Sequence, residues 1–297
     1  MKTSHFLATF AAALFGAALP ATAGPRTLVS GLGNDANPGT REQPKRTFAS
    51  ALAVTDPGGE IVALDSAGYG VVAINKSVTI SAPPGIYAGV TVSSGTGILV
   101  YAPSSDTVVL RGLTIDGVGN FANGIYLSQG ATLHVENCVI ADFSVNNSVG
   151  ILIAGYPGKL FVKDTIVRGN YSGITAQAGT TSLDHVRLQK NSVYGLFVNA
   201  SSAIVTIGNS VASENGSGMW VANGQLNVES CQLANNAAGI ASINSSALVR
   251  VSNSTVTNNS GSGVFINYGS TMETRGNNTI RGNNPDVNGT LTFISGN

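Results

Sequence analysis

The 297 residues carry 15 basic and 15 acidic side chains, and charged residues make up 10% of the chain, against about 25% in an ordinary globular domain. With that balance no long-range field draws the chain to nucleic acid or to an anionic membrane surface, and neither partner is expected. Abundant Gly, Ser, Asn, Thr and Val at such low charge suit a β-rich extracellular solenoid.

Residues 1–23 open with Lys2, continue as an apolar run over 6–19, break at Pro20 and end in Ala21-Thr22-Ala23. That is the form of a signal peptide cleaved after Ala23, so the chain is expected to be secreted, to the periplasm or beyond the cell. The apolar run falls short of the about 20 residues a spanning helix needs, and no later run reaches that length, so no membrane span is expected. The remainder divides into an N-terminal lead-in with a capping helix over 24–58 and a solenoid over 59–297.

In the lead-in, residues 47–54 (TFASALAV) read as a short amphipathic helix that Asp56-Pro57-Gly58-Gly59 ends. Placed there, it would cover the open end of the first coil and block edge-to-edge association. Alternating apolar segments follow at 61–64, 71–74, 78–80, 90–92, 98–100 and 107–115, the spacing of β-strands. From there a glycine and an apolar residue recur as Gly124-Ile125, Gly150-Ile151, Gly173-Ile174, Gly195-Leu196, Gly218-Met219, Gly239-Ile240 and Gly263-Val264, 21 to 26 residues apart.

Each unit holds three short alternating segments and none with helical spacing, which excludes leucine-rich and helical-pair repeats. The solution is all-β: a single-domain, right-handed parallel β-helix of roughly 23-residue coils, each strand pairing with its equivalent about 4.8 Å along the axis. Asn170, Asn191, Asn215, Asn236, Asn259 and Asn283 recur at one turn. They are expected to form a ladder there, in a left-handed conformation that asparagine tolerates.

Cys138 and Cys231 occupy the same place in their repeats, four coils apart. That puts them about 19 Å from one another, whereas a disulfide wants Cα atoms within about 7 Å, so two free thiols and no disulfide are expected, in a row with Thr165, Ser210 and Ser254. No metal site is expected either. Asp35-x-Asn37 offers one carboxylate where calcium takes about six to eight oxygens, His134 stands alone, and His5 leaves with the signal peptide.

Two sets of residues are candidates for function. The residue after each glycine-apolar pair points outward on one strand face: Tyr126, Leu152, Thr175, Phe197, Trp220, Ala241 and Phe265. Four of these seven are aromatic although aromatics are 6% of the chain, so Tyr126, Phe197, Trp220 and Phe265 are candidate glycan-stacking residues. The alternative is that a loop, a second subunit or the chain end covers them. The other set is the dense charge cluster Lys159, Lys163, Asp164, Arg168, Asp184, His185, Arg187 and Lys190, where Glu136, Lys163 and Asp184 fall at equivalent positions. Its ordinary reading is a ladder of surface ion pairs, each worth at most about 1 kcal/mol.

The front of the chain carries Gly33-Asn34-Asp35-Ala36-Asn37-Pro38-Gly39-Thr40, Pro44, Thr47-Phe48, Gly58-Gly59-Glu60-Ile61, Gly68-Tyr69-Gly70 and Ile74-Asn75-Lys76-Ser77-Val78-Thr79-Ile80. With the repeats, these make everything after the signal peptide resemble the pectate-lyase-like group of right-handed β-helix proteins. The group includes lyases, hydrolases, epimerases, adhesins and proteins without known chemistry, so the resemblance implies fold more than activity. Polygalacturonases, which resemble this repeat, keep paired carboxylates at their Gly-Ile strands. Here those places hold Ser148-Val149, Tyr171-Ser172, Val193-Tyr194, Gly216-Ser217, Ala237-Ala238 and Gly261-Ser262, and a glycosidase of that type is not expected.

A lyase needs a base beside a uronate carboxylate and a positive group on it. The candidates are Lys163 or Arg187 as base, with Ca²⁺ entering only in that case. Asp184-His185 is similar to a pair found in some pectate lyases, but the accompanying arginine motif is missing. The sequence therefore favours a non-catalytic, secreted scaffold for a polysaccharide or a cell-surface partner, with a lyase acting on a uronate-containing polysaccharide as the alternative. At the far end Pro285 interrupts the pattern before a last strand over 289–294, which leaves that end open to self-association.

Overall fold

The computed structural model describes residues 24–118 and 122–295. The expected signal peptide and its cleavage site at Ala23 lie outside the described residues. The lead-in is itself part of the sheet, because strand Gly24–Val29 pairs in parallel with strand Thr55–Ala63. Between them lies the helix Phe48–Val54, whose N-cap Thr47 accepts a hydrogen bond from the Ser50 amide. Phe48, Ala51 and Leu52 are buried, and the Phe48 ring packs 5.0 Å from that of Tyr69. No loop follows the helix. Asp56-Pro57-Gly58-Gly59 falls within strand Thr55–Ala63, where Gly58 takes φ +79°.

From there the chain winds in coils of three strands. One coil runs through Ser172–Ala176, Thr180–Asp184 and Arg187–Gln189; these lie on what we term faces one, two and three. Each pairs in parallel with its equivalent in the next coil: Ile174 with Leu196, Leu183 with Ile207, Leu188 with Ala212. Face three is a separate ten-stranded sheet. Faces one and two form one continuous sheet, because Tyr194–Gly208 and Ser217–Glu229 each run through the corner between them. Ile125, Ile151, Ile174, Leu196, Met219 and Ile240 stack inward with no solvent exposure, one row of the apolar core that drives the coiling.

The other two corners turn on single left-handed residues. Between faces two and three these are Asn137, Asp164, His185, Asn209, Ser230 and Asn253, with φ from 49° to 54°. Each is followed by a buried residue: Cys138, Thr165, Val186, Ser210, Cys231 or Ser254. Cys138 and Cys231 thus sit four coils apart, and burial raises both thiols to a pKa of about 11.

Between faces three and one the expected ladder is present: the Nδ2 of Asn170, Asn191, Asn215, Asn236 and Asn259 donates to the Oδ1 of the next asparagine at 2.8–3.0 Å. The left-handed conformation, however, belongs to the residue before: Gly169, Lys190, Glu214, Asn235, Asn258 and Gly282. The physical reason is that the turn and the ladder need different things. The left-handed residue reverses the chain at the surface, while the asparagine after it points its carboxamide inward to neighbouring coils. At its last rung Asn283 donates from N (2.9 Å) and Nδ2 (3.0 Å) to the Asp286 carboxylate.

The ladder also explains the repeated glycine. A Cβ on Gly195 would lie 2.5 Å from the Gly218 carbonyl oxygen and 3.1 Å from Asn215 Nδ2, so only hydrogen fits between stacked coils.

Candidate functional site

Face one brings the predicted outward row into a single file. Tyr126, Leu152, Thr175, Phe197, Trp220, Ala241 and Phe265 pair in register in that order. They are not evenly open. Thr175 is 3% exposed and Ala241 is fully buried, and the rings of Trp220 and Phe265, two coils apart, come within 6.4 Å across the Ala241 coil.

Tyr194, which was not among the expected residues, joins this strip. Its ring lies 4.6 Å from Phe197 and 5.7 Å from Trp220. Strict strand alternation would place Tyr194 and Phe197 on opposite faces; here Gly195 and Leu196 between them are both buried, and the two rings emerge on the same surface. Burial, followed by neighbouring Tyr171, holds the Tyr194 hydroxyl above the ordinary phenol value of 10.0, which keeps it a neutral O–H. Tyr126 stands three coils from Phe197, half-buried between Leu99 and Leu152.

Uncharged polar groups border the strip. Ser172 and Thr175 share a hydrogen bond of 3.1 Å, Asn223 donates to Asn199 at 2.9 Å, and Ser246 donates to Asn223 at 2.6 Å. The face-one strands, from Val72–Ile74 to Val264–Asn267, contain no acidic or basic residue. The same holds for Tyr194–Gly208 and for 217–221.

The charge cluster gathers elsewhere. Lys163 pairs in register with Glu136 on one side and Asp184 on the other. Asp184 Oδ1 lies 2.9 Å from His185 Nδ1 and accepts from Asn209 Nδ2 at 3.0 Å. The Asn209 bond and then the His185 bond hold its carboxyl below the ordinary 3.8. Asp164, His185, Arg187 and Asn209 line a shallow depression of about 540 Å³ with Ile166 and Val211. The four candidates are therefore neighbours, but at the corner joining faces two and three. The buried core, including Leu160, Leu183 and Leu188, separates this corner from the outer surface of face one. Among the described residues, Trp220 does not line the depression that holds the cluster.

A second charged depression, of about 340 Å³, lies further along face two and includes Glu229, Arg250, Glu273 and Arg275. There Arg250 Nε donates to Glu273 at 2.8 Å, and Glu229 accepts from Ser252 and Asn253. These are the stacked pairs expected of a polar sheet face.

The Asp35 segment has a structural task. The carboxylate accepts from the amides of Arg46 (3.0 Å) and Thr47 (2.9 Å) and from the Ser50 hydroxyl (2.5 Å), while Asn37 Nδ2 donates to the Pro44 carbonyl. Burial alone would raise the Asp35 carboxyl, and these bonds outweigh it and leave it lowered. Among the described residues no three His, Cys, Asp or Glu side chains come together in a metal-holding group.

Parallel strands stacked coil on coil in three faces around one apolar core define a parallel β-helix protein. The chain belongs to the family described as the right-handed beta helix region, which matches residues 96–285. Among solved structures it is similar to pectate lyase Pel9A, at 18% identity and a TM-score of 0.64, over 92% of this chain and 78% of that one. It is also similar to the mannuronan C-5 epimerase AlgE4 A-module of Azotobacter vinelandii (14%, TM-score 0.49, 81% and 91%) and to a GH136 lacto-N-biosidase from Eubacterium ramulus (10%, TM-score 0.47, 91% and 67%). The likeness to Pel9A is one of fold. No curated protein matches the chain.

Proposed function

We propose that this is an exported scaffold that holds a polysaccharide along face one without turning it over. The observation that carries this reading is the continuous strip of Tyr194, Phe197, Trp220 and Phe265, with successive ring centroids 4.6 to 6.4 Å apart. Aromatic faces bordered by hydroxyls and amides suit ligands that are apolar on one side and polar at their edges. The strip sits on strands with no group that titrates near neutral pH, so it offers contact area without an acid or a base. Secretion rests on the form of residues 1–23, and no cofactor is needed for binding of this kind.

A lyase at the corner of faces two and three is the second reading, favoured by the depression that gathers His185 and Arg187 beside Asp184 and Lys163. One experiment separates the two. The secreted chain is incubated with acidic and neutral polysaccharides, with and without Ca²⁺, while unsaturated uronate products and polymer retention are both followed. The expected result is retention that falls at least tenfold in Trp220→Ala, and no product. Product that disappears in Lys163→Ala or Arg187→Ala would establish the lyase instead.

A further inference from the structure

We infer that the polymer held on face one is an uncharged polysaccharide lying along the helix axis; this rests on the binding reading above. The direction follows from the strip, whose members succeed one another at one coil per step. Phe197 to Phe265 spans three coils, about 14 Å, and Tyr126 extends the file to six coils, about 29 Å. A chain crossing the axis would meet one ring; a chain along it meets them in turn.

The charge class follows from what the face lacks. A uronate polymer brings a carboxylate with every acidic unit. Setting such a carboxylate against half-buried rings removes it from water, and the loss is offset only by a cation within reach. The strands of face one supply none. At the adjoining ladder corner, Lys190 is paired with Glu214 at 3.7 Å. Lys163, which stands in register with Asp184, lies on face two, and Arg187 and Arg168 start and end strands of face three.

What face one does supply is a neutral set of donors and acceptors: the Asn199–Asn223–Ser246 chain of hydrogen bonds and the phenol of Tyr194 within the strip. Hydroxyl groups of a neutral sugar can exchange water for these at no cost in unpaired charge. The same fold elsewhere in this molecule places charge freely: face two carries Arg26–Glu60, Arg111–Glu136 and Arg250–Glu273 pairs. Neutrality is thus a property of face one along its length, strip included, and not of the molecule as a whole.

The test compares retention of the protein by neutral polymers (xylan, galactan, glucomannan) and acidic ones (polygalacturonate, alginate) at low and high salt. The variants are Trp220→Ala, Trp220→Phe and Gln177→Lys, the last adding a cation at an exposed position beside the strip. The inference expects a neutral polymer to be retained equally at both salt levels. It expects at least a tenfold loss in Trp220→Ala, a smaller one in Trp220→Phe, and new salt-sensitive retention of an acidic polymer only in Gln177→Lys. Salt-sensitive retention of an acidic polymer by the unmodified protein, lost in Trp220→Ala, would overturn the neutral assignment and leave the binding reading standing. No retention of any polymer would overturn both, and a dimer dissociated by Trp220→Ala would identify the occupant as a second copy of this chain.

Discussion

Asn215 shows how one residue type can hold a solenoid together. Its Nδ2 donates to Asn236 Oδ1 (3.0 Å) and to the Leu188 carbonyl (2.9 Å), while its Oδ1 accepts from Asn191 N (3.0 Å) and Nδ2 (2.9 Å). Replacing it by alanine strands buried donors on one coil and a buried acceptor on another, where low dielectric makes each loss costly. Asn215→Ala is therefore expected to cost on the order of 3 kcal/mol, read from the shift in a denaturant midpoint. Glu214, exposed and left-handed one residue earlier, is the contrast. Glu214→Gly relieves the turn and gives up a surface pair, and its net effect should stay within about 1 kcal/mol.

Tyr194 marks the limit of reading residues singly. Alternation would turn it away from Phe197, and its place beside that ring follows from the two consecutive buried residues, Gly195 and Leu196, that only the folded coil shows. The same limit applies to Asp35: the spacing to Arg46, Thr47 and Ser50 is in the sequence, but only the closed lead-in shows the carboxylate committed to all three.

Among the elements, the coils of the repeat were legible because a parallel stack repeats one environment at every step, so register follows from alignment alone. Every outward residue from Tyr126 to Phe265 pairs where the repeat places it. Gly24–Val29 was not legible, since it lies before the repeat begins and its partner strand Thr55–Ala63 holds a proline and two glycines that resemble a turn.

The last coil is held by a contact that titrates. Two hydrogen bonds from Asn283, and after them the Arg281 guanidinium, hold the Asp286 carboxyl below its ordinary 3.8. A depressed carboxyl contributes stability that is present above the unfolded-state value and is lost as pH falls through the folded one. Amides around Asn283 should accordingly lose protection from hydrogen exchange as pH drops below 3.8, with those around Asn215 unaffected. Asp286→Asn should abolish that pH dependence; an unchanged profile in the variant would assign the fraying to another group.

Taken as a whole, the molecule segregates its chemistry by face. Face two carries stacked ion pairs, the corner between faces two and three carries Asp184, His185 and Arg187, and face one carries the uncharged aromatic strip. The sequence made both candidate sets visible, but their separation by the core depends on how strands fold into faces, which periodicity does not order around the axis. Among the described residues the charged groups of that corner and the aromatic strip lie on separate surfaces, and the proposed binding surface is the strip alone.

Trp220 is the only tryptophan in the chain, so its fluorescence reports on the strip alone. The most direct measurement is the emission of the unmodified protein titrated with a neutral polysaccharide that the protein retains. A saturable change in intensity and wavelength, lost with excess competing oligosaccharide, is expected. Saturable retention of the polymer with no change in Trp220 emission would place binding elsewhere on the β-helix and contradict binding at the strip.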